Sequence, residues 1–173
     1  MKTSIEFLPS NKRQELHAIV QAIRQYPEVE MIILFGSYAR GKWIEEYADD
    51  GVHFQYQSDY DLLVIVKTRS TSAQHRLEGD IMTVTQNMSE IKTPVSPIVH
   101  DIEFINRRLE KAQYFFSDIK KQGIILYNSG QLKLGEPREL SNKERYQLAK
   151  EDFLYNFQSA KDFYEGFNFY LSK

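Results

Sequence analysis

The sequence predicts an α/β domain followed by a long C-terminal helix. Three observations carry that expectation. Short β-branched runs alternate with helix-period stripes as far as residue 135. The run Leu62 to Val66 is apolar on both parities, which places it mid-sheet, covered on both faces. From Ser141 onward there is no Gly or Pro until Gly166. A chain of 173 residues can hold one domain with a proper core plus an appendage.

The elements follow in order. After Pro9, the residues Leu16, Ile19, Val20 and Ile23 fall at helix spacing, so residues 11 to 25 read as an amphipathic helix with Asn11 as N-cap, halted near Pro27. Met31 to Phe35 is too short for a helix and ends at Gly36, as a buried strand does. A helix is expected from Tyr38 to Tyr47, then a turn at Asp49-Asp50-Gly51 and a strand over Val52 to Gln57. In the strand that follows, Asp59, Asp61, Leu63 and Ile65 share one face.

Ala73, Leu77, Ile81, Val84 and Met88 form a helix stripe behind a Ser/Thr-rich cap at residues 70 to 72. Pro94 and Pro97 confine the strand around Val95 to Val99 to a sheet edge or to irregular pairing, because proline cannot donate to the ladder. Phe104, Ile105 and Leu109 indicate a further helix. Ile124 to Tyr127 form the last strand before the Asn128-Ser129-Gly130 turn.

The expected division is a domain at residues 1–135, a linker at 136–140 containing Pro137, and a helix at 141–173. Ser141 and Glu144 fit a capping box at the start of that helix. Tyr146, Ala149, Phe153, Phe157, Ala160, Tyr164, Phe167 and Leu171 make its apolar stripe, while Phe163, Phe169 and Tyr170 lie off it. A helix with aromatic surface on two sides needs more than one neighbour. The expectation is therefore a truncated chain or a homo-oligomer formed through this helix.

Composition narrows the function classes. A net charge of -2 lacks the broad positive field that a long duplex nucleic acid requires. The absence of cysteine excludes disulfides and thiolate metal sites. The first ten residues lack a signal-peptide core, and no apolar run approaches the ~20 residues that span a bilayer. These features point to a soluble, cytoplasmic protein with no membrane partner.

Two motifs carry chemistry. In Phe35-Gly36-Ser37 the chain turns from strand to helix, and Gly36 has no Cβ to obstruct a close phosphate. Helix N-terminal amides and the Ser37 hydroxyl can donate to phosphate oxygens, and Arg40 one turn on can grip the same anion. Alternatively, Ser37 simply caps the helix. Downstream, Asp59 and Asp61 project to one face, where two like charges repel unless a cation lies between them. Mg²⁺ suits such oxygen donors and keeps room for substrate phosphates. The plainer alternative puts Asp59 in a turn and Asp61 at a solvated strand end.

These residues resemble the minimal nucleotidyltransferases of the DNA polymerase beta and kanamycin nucleotidyltransferase superfamily. That signature is Gly-Ser followed by Asp-x-Asp on the next sheet strand, and the likeness runs from about residue 10 to 135. The resemblance implies a nucleotidyltransferase fold, a mixed sheet flanked by helices. It also implies Mg²⁺ and transfer of a nucleoside monophosphate, AMP from ATP above all, with release of pyrophosphate. Gly36 and Ser37 would hold the triphosphate, and Asp59 and Asp61 the metal. The stretch Glu151 to Phe163 is similar to the opening helix of a HEPN domain, a module often paired with such enzymes.

Two features depart from the family pattern. The insert from Lys42 to Gln57 is long, and its Trp43, Tyr47, Phe54 and Tyr56 either stack on a base or pack the insert onto the sheet. The third carboxylate expected on a neighbouring strand falls at Ser96. Asp101 and Glu103 are the nearest acids, yet Asp101 serves equally as an N-cap and Glu103 as a first-turn charge. His100, on the parity of Ser96, is either a proton acceptor or a structural histidine.

The sequence therefore supports two functions. One is a Mg²⁺-dependent nucleotidyltransferase acting on a hydroxyl of a protein or small molecule, with a HEPN toxin as a protein acceptor in a toxin–antitoxin pair. The other is a nucleotide-binding regulatory or antitoxin module that has lost turnover.

Overall fold

The computed structural model describes residues 1–45, 47–49, 52–54, 57–67 and 70–171. The chain divides into two compact units, Met1–Pro137 and Arg138–Lys173. In the first, the elements run α1 (Ser10–Ile23), β1 (Val29–Phe35), α2 (Gly36–Arg40), β2 (Tyr47–Asp49), β3 (Val52–Phe54), β4 (Tyr60–Val66), α3 (Thr71–Gln86), β5 (Val95–Asp101), α4 (Ile102–Glu110), α5 (Tyr114–Gln122) and β6 (Ile124–Asn128). β2 and β3 form a small hairpin within the insert.

The main sheet has the order β5-β4-β1-β6. β1 is antiparallel to both β4 and β6, whereas β4 and β5 are parallel. A parallel pair needs a crossover, which α3 supplies. The sheet is therefore mixed and flanked by helices, as the family resemblance implies. β4 lies inside it and is buried along nearly its whole length, which is why its sequence is apolar on both parities. β5 takes an edge, where Pro97 costs no ladder bond on its open side.

Alternate residues of β1 and β4 feed two cores. Ile32, Leu34, Leu62 and Val64 pack against Leu16, Ile19 and Ile23 of α1 and Leu77 and Ile81 of α3. Met31, Ile33, Leu63 and Ile65 face Ile105 and Leu109 of α4 and Phe116 and Ile119 of α5. Each such side chain contributes about 1.5–3 kcal/mol by leaving water. The second face carries Asp61 at its end, because Asp61 shares the parity of Leu63 and Ile65.

Several local expectations are revised. The first helix begins at Ser10 behind an extended Pro9, so Asn11 lies inside it and does not cap it. The helix expected from Tyr38 to Tyr47 stops at Arg40, because Gly41 adopts a left-handed cap at φ 70° that ends the hydrogen-bond series. Tyr47 belongs instead to β2. Of the strand expected over Val52 to Gln57, Val52–Phe54 is strand and Gln57 is not; Asp50, Gly51, Gln55 and Tyr56, and the side chains of Tyr47 and Phe54, lie outside the described residues. α5 forms where the local pattern predicts no helix. It follows α4 after a turn in which Ala112 takes φ 50°, with no Gly or Pro to announce the break.

The second unit holds one helix, α6 (Asn142–Leu171). Its capping box forms as the sequence predicts: the Glu144 carboxylate accepts from the Ser141 amide at 2.9 Å, and the Glu144 amide donates to Ser141 Oγ at 3.3 Å. The Ser141 hydroxyl also donates to the Glu144 carboxylate at 2.8 Å, and that bond first, then the Ser141 amide and Arg138, hold the Glu144 carboxyl down at about 2. Among the described residues of the unit no second element covers the aromatic stripe, and Tyr146, Phe153, Phe157, Tyr164 and Phe167 are exposed. Among the described residues, no helix is long and apolar enough to cross a membrane.

Candidate functional site

Antiparallel pairing of β1 and β4 brings the end of one strand beside the start of the other, with Phe35 opposite Asp61. The Gly36 turn and the acids are neighbours for that reason alone. Gly36 has φ +71°, a left-handed conformation that glycine adopts without strain. A Cβ built on it overlaps Asp61 Oδ2 and sits 2.8 Å from Asp61 Cγ. The room that Gly36 leaves is thus filled by the Asp61 carboxylate itself.

Asp61 is half-buried, and its pKa is pushed up to about 6. Burial is the largest cause and the neighbouring Asp59 charge the second, while Arg40 acts in the opposite direction. Arg40 also lies 3.9 Å from Asp118 of α5, a partly exposed ion pair that ties α2 to α5. The structure therefore brings Gly36, Asp59, Asp61 and Arg40 together. Ser37 sits beside them in the first turn of α2, where Phe35 and not Ser37 occupies the N-cap position.

On the other side, parallel pairing sets Ser96 opposite Asp61, and the Ser96 hydroxyl donates to the Asp59 carboxylate. The neighbouring strand offers a hydroxyl at this register. Asp101 pairs with Val66, five residues along β5, about 17 Å from Ser96 at strand rise. There it caps α4, accepting from the Phe104 amide at 2.7 Å and from Gln74 at 2.9 Å. Glu103 pairs with Arg107 on the surface of α4. His100 stacks on Phe104, with ring centroids 4.3 Å apart, and burial pushes its pKa below the ordinary value. Asp101 thus caps, Glu103 makes a surface ion pair and His100 packs.

The insert is closed at its neck beside the site. Ser58, buried and immediately before Asp59, accepts from the Ile44 amide at 3.0 Å and donates its own amide to the Ile44 carbonyl at 2.8 Å. Buried Lys12 donates to Thr93 at 2.9 Å and pairs with Glu45 at 3.2 Å, fastening α1, the insert and the approach to β5. Trp43 stacks on Tyr38 at 5.4 Å and packs against the core, which is the packing alternative for that residue.

Sequence reasoning did not reach α5. Its Phe115 meets Phe35 edge-on at 5.6 Å, and its Asp118 faces Arg40. The one available signal was the Tyr114-Phe115-Phe116 run, which lacks a capping residue in front of it.

The donors present fit Mg²⁺. Among the described residues, no group of three or more His, Cys, Asp or Glu is arranged around a metal. Two carboxylates completed by substrate phosphates and water are nonetheless a usual Mg²⁺ site. Burial first and the Asp59 charge second raise the Asp61 pKa, and a divalent cation between the two carboxylates would relieve the second of these.

No curated protein matches the chain. Similar solved structures include a toxin–antitoxin with AMP-PNP, at 17% identity over 84% of this chain and 90% of that one, TM-score 0.40. A putative nucleotidyltransferase from Sulfolobus solfataricus is 20% identical over 70% and 86%, TM-score 0.41. A tri-AMPylated Shewanella oneidensis HEPN toxin in complex with MNT antitoxin is 14% identical over 87% and 92%, TM-score 0.38. Residues 17–131, most of the first unit, match the profile of the family described as polymerase beta, nucleotidyltransferase. With its Gly-Ser turn seated against Asp61 on a mixed sheet, the chain belongs to the polymerase beta nucleotidyltransferase family.

Proposed function

We propose that the first unit uses Mg²⁺ to transfer a nucleoside monophosphate, AMP from ATP in the first instance, to a hydroxyl of a protein or small molecule. The observation that carries this reading is the Asp61 carboxylate lying against Gly36 with Asp59 beside it. Gly36 and Ser37 bind the triphosphate through the first amides of α2 and the Ser37 hydroxyl. Arg40 neutralises it, exchanging a weak, partly exposed contact with Asp118 for a phosphate. Asp59 and Asp61 would hold a Mg²⁺, which when bound would supply charge neutralisation and Lewis-acid polarisation to the phosphates. Ser96 orients Asp59 through its hydrogen bond. The acceptor oxygen bonds to the α-phosphorus as the bond to pyrophosphate breaks, and the hydroxyl proton is released to water.

Incubation of the full chain with Mg²⁺, ATP labelled at the α-phosphate and candidate acceptors tests the reading. Asp61→Asn should abolish transfer; if it labels acceptor as well as the wild type does, the assignment is wrong. A protein acceptor, with a HEPN toxin as the first to try, is part of the proposal. So is the division of the chain at residues 136–140.

Ser96 favours a second reading, a nucleotide-binding regulatory module without turnover. Its hydroxyl lies where an acid would complete the metal site, and Asp101 is engaged elsewhere. Tight Mg²⁺-ATP binding by calorimetry with no pyrophosphate release supports this reading, and turnover rejects it.

A further inference from the structure

The face of the sheet that carries Asp61 ends in an aromatic pair. Phe35 directly precedes Gly36 and is the register partner of Asp61, so its ring stands beside the carboxylate on the same face. Phe115 of α5 meets that ring edge-on, with centroids 5.6 Å apart, and is braced from behind by Phe116 at 5.1 Å. Phe116 is buried, whereas Phe115 keeps 40% of its surface exposed and Tyr114 79%. The core side of α5 thus anchors a rigid aromatic ring whose outer part remains open next to the phosphate-binding turn. The nearby charges, Arg40 and Asp118, are turned toward each other.

We propose that Phe115, supported by Phe35, is the stacking platform for the nucleobase of the nucleoside triphosphate. The proposal rests on the triphosphate reading of Gly36, Ser37 and the two acids. The base of a nucleotide held at the turn lies within one nucleoside length of its phosphates, and this ring pair adjoins the phosphate turn through the chain itself. Stacking on phenylalanine reads area and not base edges, since every base has a π-face. The site should therefore discriminate weakly among bases, with purines ahead of pyrimidines. An exposed ring held edge-on by a second ring loses little freedom on binding, which favours this use over a loose hydrophobic contact.

Calorimetric titration of the full chain in Mg²⁺ with non-hydrolysable ATP and CTP analogues, and with inorganic tripolyphosphate, tests the platform. Phe115→Ala should weaken the ATP analogue about ten-fold while leaving tripolyphosphate unchanged, and Phe115→Tyr should restore the wild-type value. The ATP analogue should bind the wild type more tightly than the CTP analogue, and that margin should shrink in Phe115→Ala. Unchanged ATP affinity in a folded Phe115→Ala overturns the platform alone. Equal losses for ATP and tripolyphosphate also overturn it, because they place Phe115 in the architecture of the phosphate site. A wild type that binds none of these ligands overturns both the platform and the triphosphate reading beneath it.

Discussion

The carboxylate of Asp61 occupies the space that a side chain on Gly36 would need. The glycine of the turn and the acid of the neighbouring strand are one interlocked unit, so each constrains the other. Gly36→Ala meets two penalties, a positive φ and an overlap with Asp61, which together cost about 3 kcal/mol. Asp61→Ala relieves the overlap, so in urea unfolding the double variant should be more stable than the sum of the single effects by about 1 kcal/mol. Strictly additive costs would show that the two residues do not share that space.

Asp61 also gives the protein a pH dependence. Its folded pKa is raised from 3.8 to about 6, so the native state holds the proton more tightly than the unfolded chain. Its contribution is therefore most favourable below pH 4 and is lost as pH rises through about 6. For a half-buried group, solvent screening reduces the metal-free penalty at pH 7.5 to about 1 kcal/mol. Asp61→Asn should raise Tm at pH 7.5 without metal, and the gain should vanish near pH 4. Mg²⁺ should stabilise the wild type at pH 7.5, lose that effect below pH 6, and leave the variant unmoved. Calorimetric scans across pH, with and without Mg²⁺, check both signs.

Ser96→Asp would place a third carboxylate beside Asp59 and Asp61. Without metal, the added like charge should cost about 1 kcal/mol. With Mg²⁺ the variant should bind the cation about ten-fold more tightly and turn over faster than the wild type. Unchanged Mg²⁺ affinity would mean that the β5 position does not reach the metal.

Asp101→Ala separates the two alternatives for that residue. Loss of the α4 cap and of the Gln74 bond should destabilise the fold by about 1–2 kcal/mol. Mg²⁺-nucleotide affinity and transfer rate, measured well below the melting temperature, should stay at wild-type values. A large fall in rate with intact binding would restore a catalytic role.

The exposed rings of α6 are the expected contact between copies of the chain. The full protein should self-associate at micromolar concentration in sedimentation velocity. Phe153→Glu with Phe157→Glu, which replaces two stacked aromatics by charges, should sediment as a monomer with its helix content retained by circular dichroism. A wild type that is already monomeric rejects the idea.

Local signals made much of this protein legible in advance. Helix stripes, β-branched runs and turn residues depend on neighbours in the chain, so β1, β4, α1, α3 and the capped start of α6 follow from the amino acids alone. The Gly-Ser and Asp-x-Asp motifs likewise named the residues that meet. Where the structure departs, the cause is local chemistry that leaves no period behind. Gly41 ends α2 through its left-handed φ, and Ala112 breaks α4 from α5 without a glycine.

Other features belong to the tertiary structure. Strand pairing set Phe35 opposite Asp61 and Ser96 opposite Asp61, and those registers are relations between segments that no local pattern encodes. Burial raised the Asp61 pKa, capping claimed Asp101, and packing of α5 on the sheet brought Phe115 to Phe35. The amino acids chose the chemical groups. Register and burial, which exist only once distant segments have packed, chose which of those groups face each other.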